Sequence, residues 1–162
     1  MSLLKRSLKS LKKRLDSQSS LTIQRDDGIN YKVQFIFNEP ATREQLDKLP
    51  WSIPSEYKEF LSLHNGSRLF LSEDTTFELF SIDEVLEHYS YYTEWPKNWF
   101  PIGAGFDGEL LIIAPQDNKN GYIFWAVVGD SFEYPCHIGE LKFDDWLNYF
   151  IVSQGSKFWD WH

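Results

Sequence analysis

The side chains best placed for chemistry are two acids around a glycine. Asp107 and Glu109 flank Gly108, and in an extended chain residues two apart point to the same side. Such a pair can hold a cation or exchange protons with a substrate; its bland counterpart is an exposed acidic rim. Cys136–His137 is the only adjacent nucleophile and base. On a strand these neighbours face opposite ways and cannot share a proton, so a buried thiol beside an ordinary imidazole is expected. His64, His88, His137 and His162 are scattered singly, without the spacing of a metalloprotease, and no hydrolase elbow is present. Gly103-x-Gly105-x-x-Gly108 spells a dinucleotide motif, but it precedes a strand instead of opening a helix, so a phosphate would meet no helix amides. Gln116–Val127 fails as a calcium loop at its first and twelfth positions. Neither a metal nor a cofactor is expected.

What remains near that glycine loop is a surface. Glu94, Trp95, Trp99, Phe106, Asp107 and Glu109 lie around it in sequence, and aromatic rings beside carboxylates suit a partner rich in lysine and arginine. Trp95 and Trp99 read equally well as core rings at loop ends. The last segment, residues 155–162, adds Phe158, Trp159 and Trp161, an aromatic end that either folds back or stays adhesive.

Composition bounds the rest. The chain has 162 residues, 42% of them hydrophobic, with 13 Phe, 8 Tyr and 7 Trp, enough apolar material for the core of one domain. A single cysteine excludes an intramolecular disulfide and a multi-cysteine zinc cage and fits a reducing compartment, so a cytoplasmic location is expected. No apolar run is long enough to span a membrane. The formal charge is −8 and is unevenly placed: residues 1–16 hold six basic residues and one acid, leaving ten basic and 23 acidic residues in the remainder. An acidic body of this kind disfavours nucleic acid and anionic membrane and favours a basic protein partner.

The elements that must carry these residues follow from periodicity. Leu4, Leu8, Leu11 and Leu15 recur on one face of a basic helix, which reads as a helix docked on the acidic body, a membrane-surface or partner-binding arm, or a transit peptide. Residues 16–30 read as polar, and Tyr31, Val33, Phe35 and Phe37 alternate as a strand. Thr42 caps a short helix through Leu49. Pro50 and Pro54 bracket Trp51, and Ile53, Tyr57, Phe60 and Leu61 follow at helical spacing, with Asn65–Gly66 expected to end that helix. Two short strands, Arg68–Leu71 and Thr76–Phe80, precede Ser81-x-x-Glu84, the pattern of a capping box. Glu94 to Pro101 is an aromatic loop. Two apolar runs, Leu110–Ala114 and Tyr122–Val128, form a hairpin around a turn at 115–121, placed at the centre of a sheet by their continuous hydrophobicity. Gly129–Asp130 turns the chain towards a strand at Tyr134–Ile138, and Phe143, Trp146, Leu147, Phe150 and Ile151 repeat as a closing helix.

Pro50, Pro54, Tyr57, Phe60–Leu61 and Asn65–Gly66, followed in order by Ile102–Gly103, Asp107–Gly108, Ile112, Gly121–Tyr122–Ile123 and Phe143-x-x-Trp146–Leu147, resemble the SMI1/KNR4 (SUKH) superfamily over residues 42–151. The spacer before Pro50 is short, and the arm before residue 17 and the tail 155–162 fall outside the pattern. The resemblance implies one α+β domain, a twisted and mainly antiparallel sheet with helices packed against it, spanning 17–154 behind a basic helix at 1–16. It also favours the docked reading of that helix. By the same resemblance the chain is a non-enzymatic binding protein, of the kind that neutralises a bacterial polymorphic toxin, often a nuclease, by direct contact. A regulatory adaptor like the fungal cell-wall members is the alternative, and an acid/base enzyme using Asp107 and Glu109 ranks last.

Overall fold

Strands form where apolar residues alternate or run on, and short turns let each pair with the next. A computed structural model describes residues 1–116, 120–127, 136–137 and 140–161. The strands are β1 (Ser20–Gln24), β2 (Asn30–Phe37), β3 (Ser67–Leu71), β4 (Phe77–Leu79), β5 (Phe100–Ala104), β6 (Leu110–Ile113), β7 (Ile123–Ala126) and β8 (Cys136–His137). They make one eight-stranded sheet whose spatial order is the chain order, every neighbouring pair antiparallel. The helices are α1 (Leu3–Arg14), α2 (Arg43–Asp47), α3 (Ser55–Leu63), α4 (Ile82–Ser90) and α5 (Phe143–Val152). This is the α+β arrangement of one sheet with packed helices that the sequence implied.

The sheet is not centred on the β6–β7 hairpin, which stands sixth and seventh of eight. Continuous hydrophobicity there reports cover on both faces rather than a central place. Phe124 stacks on Trp99 with centroids 5.6 Å apart, while its neighbour Trp125 stacks on Phe77 at 5.7 Å, and successive strand residues face opposite ways. Two strands escape the sequence reading. β1 is polar, with only Ser20 and Ile23 buried, and β5 contains Pro101 and Gly103, residues that weaken a strand pattern. Helix α2 is also shorter than its sequence range, ending at Asp47. The turn at 117–119, Gly129–Asp130 and all of Tyr134–Ile138 except residues 136 and 137 lie outside the described residues.

Helices α1, α3 and α5 share one apolar core. Leu4, Leu8 and Leu11 of α1 are buried in the same cluster as Tyr57, Phe60 and Leu61 of α3 and Phe143, Trp146, Leu147 and Phe150 of α5. The basic helix is therefore docked, and polar contacts fix its register: Ser7 Oγ donates to Asn148 Oδ1 at 2.8 Å, and Lys5 pairs with Glu59 at 3.3 Å. Helix α5 begins without a side-chain cap. Its Phe143 amide instead donates to the Tyr122 hydroxyl at 3.1 Å, and that hydroxyl donates to Glu56 Oε2 at 2.9 Å, joining the first turns of α5 and α3 through one ring. The Ser81–Glu84 capping box forms as its sequence pattern indicates.

The end of α3 departs from expectation. The helix stops at Leu63, with His64 extended, so Gly66 is not the residue that closes it. Gly66 has φ +91°, and a Cβ built there would meet Ser81 N at 2.6 Å and Leu79 O at 2.9 Å. The glycine thus permits a left-handed turn and a close approach to the β4–α4 junction. Asn65 completes this joint: its amide donates to Glu39 O at 2.8 Å, and its Oδ1 accepts from Ile82 N at 2.9 Å. Beside it, His64 Nδ1 donates to Asn38 O at 2.8 Å, leaving Nε2 to accept from the Lys12 ammonium at 2.7 Å. That pairing requires a neutral ring.

At the outer edge, β1 is closed by two side chains and one backbone amide. Asp16 Oδ1 accepts from Ser20 N at 2.9 Å, Asp16 N donates back to Ser20 O at 3.0 Å, and Gln154 Oε1 accepts from Gln24 N at 3.1 Å.

Gly66→Ala is expected to cost about 3 kcal/mol or more, because a strained φ and an overpacked backbone contact add. Gly28, at φ +78° with nothing within 4 Å of its Cβ direction, separates the two effects: Gly28→Ala should lose only about 1 kcal/mol. Urea denaturation of both variants measures the difference, and equal losses would remove the Ser81 contact from the explanation. Burial, aided by the Lys12 charge, lowers the His64 pKa below 6.5. A depressed folded-state value stabilises the protein fully above the ordinary pKa and less as pH falls through the shifted one. Between about pH 7 and about pH 5, thermal melts should therefore show a smaller loss for His64→Gln than for the wild type.

Candidate functional site

A meander places alternate turns at the same end of its sheet. The β1–β2, β3–β4 and β5–β6 turns accordingly gather at one end, where residues 155–161 fold back over them. Between these parts lies a cleft of about 430 Å³, walled by Arg25, Thr75, Phe106 and Lys157 and floored by Phe77 and Phe150. Its volume suits a side chain or small group. Arg25 Nη2 donates to Thr75 Oγ1 at 2.7 Å, and its guanidinium lies 4.8 Å from the Tyr31 ring.

The β5–β6 turn is built by two glycines. Gly108, at φ +81°, closes it with a hydrogen bond from its amide to Gly105 O at 3.1 Å. Gly105 lies so close to the indole of Trp125 that a Cβ would approach Cη2 to 3.1 Å. This turn, not an extended chain, brings Asp107 and Glu109 together, and they converge on one cation. Lys157 Nζ donates to Asp107 Oδ2 at 3.2 Å and also to Glu109 Oε2. The same Glu109 oxygen accepts from Trp125 Nε1 at 2.6 Å, and Lys157 Nζ lies 5.6 Å from the Trp125 ring centroid. Two carboxylates and an indole thus enclose an ammonium. Burial acts to lower the Lys157 pKa, but the hydrogen bonds it donates to Glu109 and Asp107 outweigh it and leave it raised above 10.5. The side chain of Glu109 is 14% exposed and that of Asp107 52%. Phe106, next to them, is 69% exposed.

Of the six surface residues marked in the sequence, Phe106, Asp107 and Glu109 come together here. Glu94, Trp95 and Trp99 do not: they precede Phe100, at the far end of β5, about 13 Å away along the strand. Trp95 donates from Nε1 to Tyr89 O at 2.9 Å and stacks on the Tyr89 ring, centroids 5.5 Å apart. Trp99 covers Phe124, on the face of β7 opposite Trp125. Both indoles are half-buried packing rings as well as rim residues. The structural positions behave as their types require. Tyr57 and Trp146 are fully buried, Pro54 stands at the N-cap of α3, and Gly103 passes so near β4 that a Cβ would lie 2.5 Å from Glu78 O.

Lys157, Trp125 and Arg25 were not singled out in the sequence. Lys157 is 48 residues from Glu109, and no local pattern links such distant positions. The aromatic tail was the one available signal, and it does fold back: Trp159 packs on Trp125 at 4.8 Å and on Phe150 at 6.3 Å, while Trp161 stays exposed. Among the described residues there is no group of three or more metal-ligating side chains able to hold an ion, and no helix is long and apolar enough to cross a membrane.

The chain is 29% identical over 131 residues to YnaB of Bacillus subtilis (strain 168), covering 78% of this chain and 87% of that protein. It is also 29% identical over 119 residues to YobM of the same organism, covering 68% of this chain and 63% of YobM. Both carry the description of uncharacterized proteins. The model of the SMI1/KNR4 family (SUKH-1) matches residues 40–149, from the strand-to-helix connection before α2 to most of α5. Well over half of the chain lies within that match, and the chain belongs to the SMI1/KNR4 (SUKH-1) family.

Proposed function

We propose that this protein is a non-enzymatic binding module that acts in the cytoplasm as an immunity protein, neutralising a bacterial polymorphic toxin by direct contact. The observation that carries the reading is family membership across residues 40–149. Physical features support a basic partner. The formal charge is −8, and the exposed Phe106 stands beside the Asp107–Glu109 pair at the mouth of a cleft. A protruding ring flanked by carboxylates supplies both parts of a protein contact: apolar area that slows dissociation and charge that speeds encounter. The carboxylates are poorly set for acid/base chemistry, because Lys157 neutralises part of their charge and takes up acceptor positions that a substrate would need. In this proposal the β5–β6 turn is the primary contact. Glu94, Trp95 and Trp99 form a separate surface, reached only by a partner that spans the length of β5.

The cognate toxin domain, sought in the neighbouring gene, provides the test by surface binding at two ionic strengths. Asp107→Lys should slow association and weaken its salt dependence. Phe106→Ala should raise the off-rate and cost about 2 kcal/mol of affinity. Glu94→Lys, at the other end of the strand, should leave the off-rate unchanged. Normal binding by the first two variants with loss in the third would move the contact to the Glu94–Trp99 loop. If no toxin domain binds at all, the adaptor function replaces immunity.

A further inference from the structure

The enclosure around Lys157 has the chemistry of a site that reads a lysine side chain. Two carboxylates from one tight turn supply charge, and the Trp125 ring supplies a π-face 5.6 Å from the ammonium. The indole N–H holds Glu109 in place at 2.6 Å. The walls of this cage come from β5–β6 and β7, whereas the cation comes from a different part of the chain, the segment that follows α5. That segment leaves the helix through Gly155 at φ +80°, a position where a Cβ would strike the Phe70 ring at 2.6 Å. It is held on the body chiefly by Trp159 against Trp125, Trp146 and Phe150. Asp107 is half-exposed and opens towards Phe106 and the cleft.

We infer that the cage is a recognition site for a lysine or arginine of the partner protein, and that Lys157 is its internal occupant, exchanged for the partner's side chain on binding. This rests on the reading that the β5–β6 turn is the partner contact, and it adds the side chain read there and the residue that must leave. An internally occupied site binds in proportion to the fraction in which it is open, so removing the occupant should strengthen binding. A loss of binding on removing Lys157 is what a purely structural tether would give instead.

The probe is a short fluorescent glycine–lysine peptide, with its Nε-acetyl-lysine counterpart as the uncharged control. At low salt, Lys157→Met is expected to bind the lysine peptide about tenfold more tightly than the wild type does. Adding Glu109→Gln should remove the gain, and the acetylated peptide should bind none of these proteins. The indole N–H resonance of Trp125 gives a second readout that needs no Lys157 variant. In the wild type it should shift on titration with the lysine peptide and stay fixed with the acetylated one. Equal or weaker binding by Lys157→Met with a motionless Trp125 signal would overturn the inference, as would a gain that survives Glu109→Gln. The two proposals fail separately. A toxin domain bound equally well by wild type and Lys157→Met sinks the cage and leaves immunity standing, whereas lysine-peptide exchange without any toxin partner does the reverse.

Discussion

Where α3 gives way to β3, the chain has to pass backbone against backbone. Gly66 fits between the start of α4 and the end of β4 with no room for a methyl group, and the residues on either side convert that approach into a joint. Asn65 accepts from the first turn of α4 and donates to Glu39, and Asn38 N donates to Gly66 O at 3.1 Å. The spacing of β2, β3, α3 and α4 is thereby fixed at one point. Since the sheet runs in chain order, a shift here would carry through β4 to β5 and its turn. The cage around Lys157 depends on a glycine and an asparagine in a different part of the fold, and packed interiors transmit such displacements because they have little slack.

Trp125 links that scaffold to the surface. One of its faces belongs to the core through Phe77, its ring edge supports Gly105, and its N–H orients Glu109. A polar group buried beside an indole donor costs less than a bare one, because its desolvation is offset by a charge-assisted hydrogen bond. The acidic turn is therefore pre-ordered before any partner arrives, and ordering done during folding need not be repeated on binding.

The sequence reveals elements that obey a single period and conceals those that do not. The leucine ladder of α1, the Ser81–Glu84 box and the Phe143-to-Ile151 repeat are all local patterns and match the structure closely. β5 is hidden because Pro101 and Gly103 answer to its neighbours: the glycine admits the backbone of Glu78, a requirement set 25 residues away. β1 is hidden because an edge strand needs few apolar side chains. The same limit divides the candidate site. Asp107 and Glu109 are visible as a pair, since they are adjacent to one glycine, but their cation is not, since its position is set by the return of the chain after α5. Proximity in sequence also grouped Trp95 and Trp99 with the glycine loop, although a strand of extended backbone separates them.

The closed edge of β1 has a consequence for how this protein can meet others. An unpaired strand edge is a template for another chain's backbone, and many proteins recruit peptides by letting them join the sheet there. Here Asp16 clasps Ser20 through two hydrogen bonds, and Gln154, from the segment beyond α5, occupies the amide of Gln24. Both ends of this edge are occupied, one by the side chain and amide of Asp16 and the other by the side chain of Gln154, which leaves less of β1 open to another chain's backbone. It also means that selection among partners at this end of the sheet falls to side chains instead of backbone. Side chains can be exchanged one at a time without disturbing the sheet, and a scaffold built this way can change what it recognises while keeping its fold.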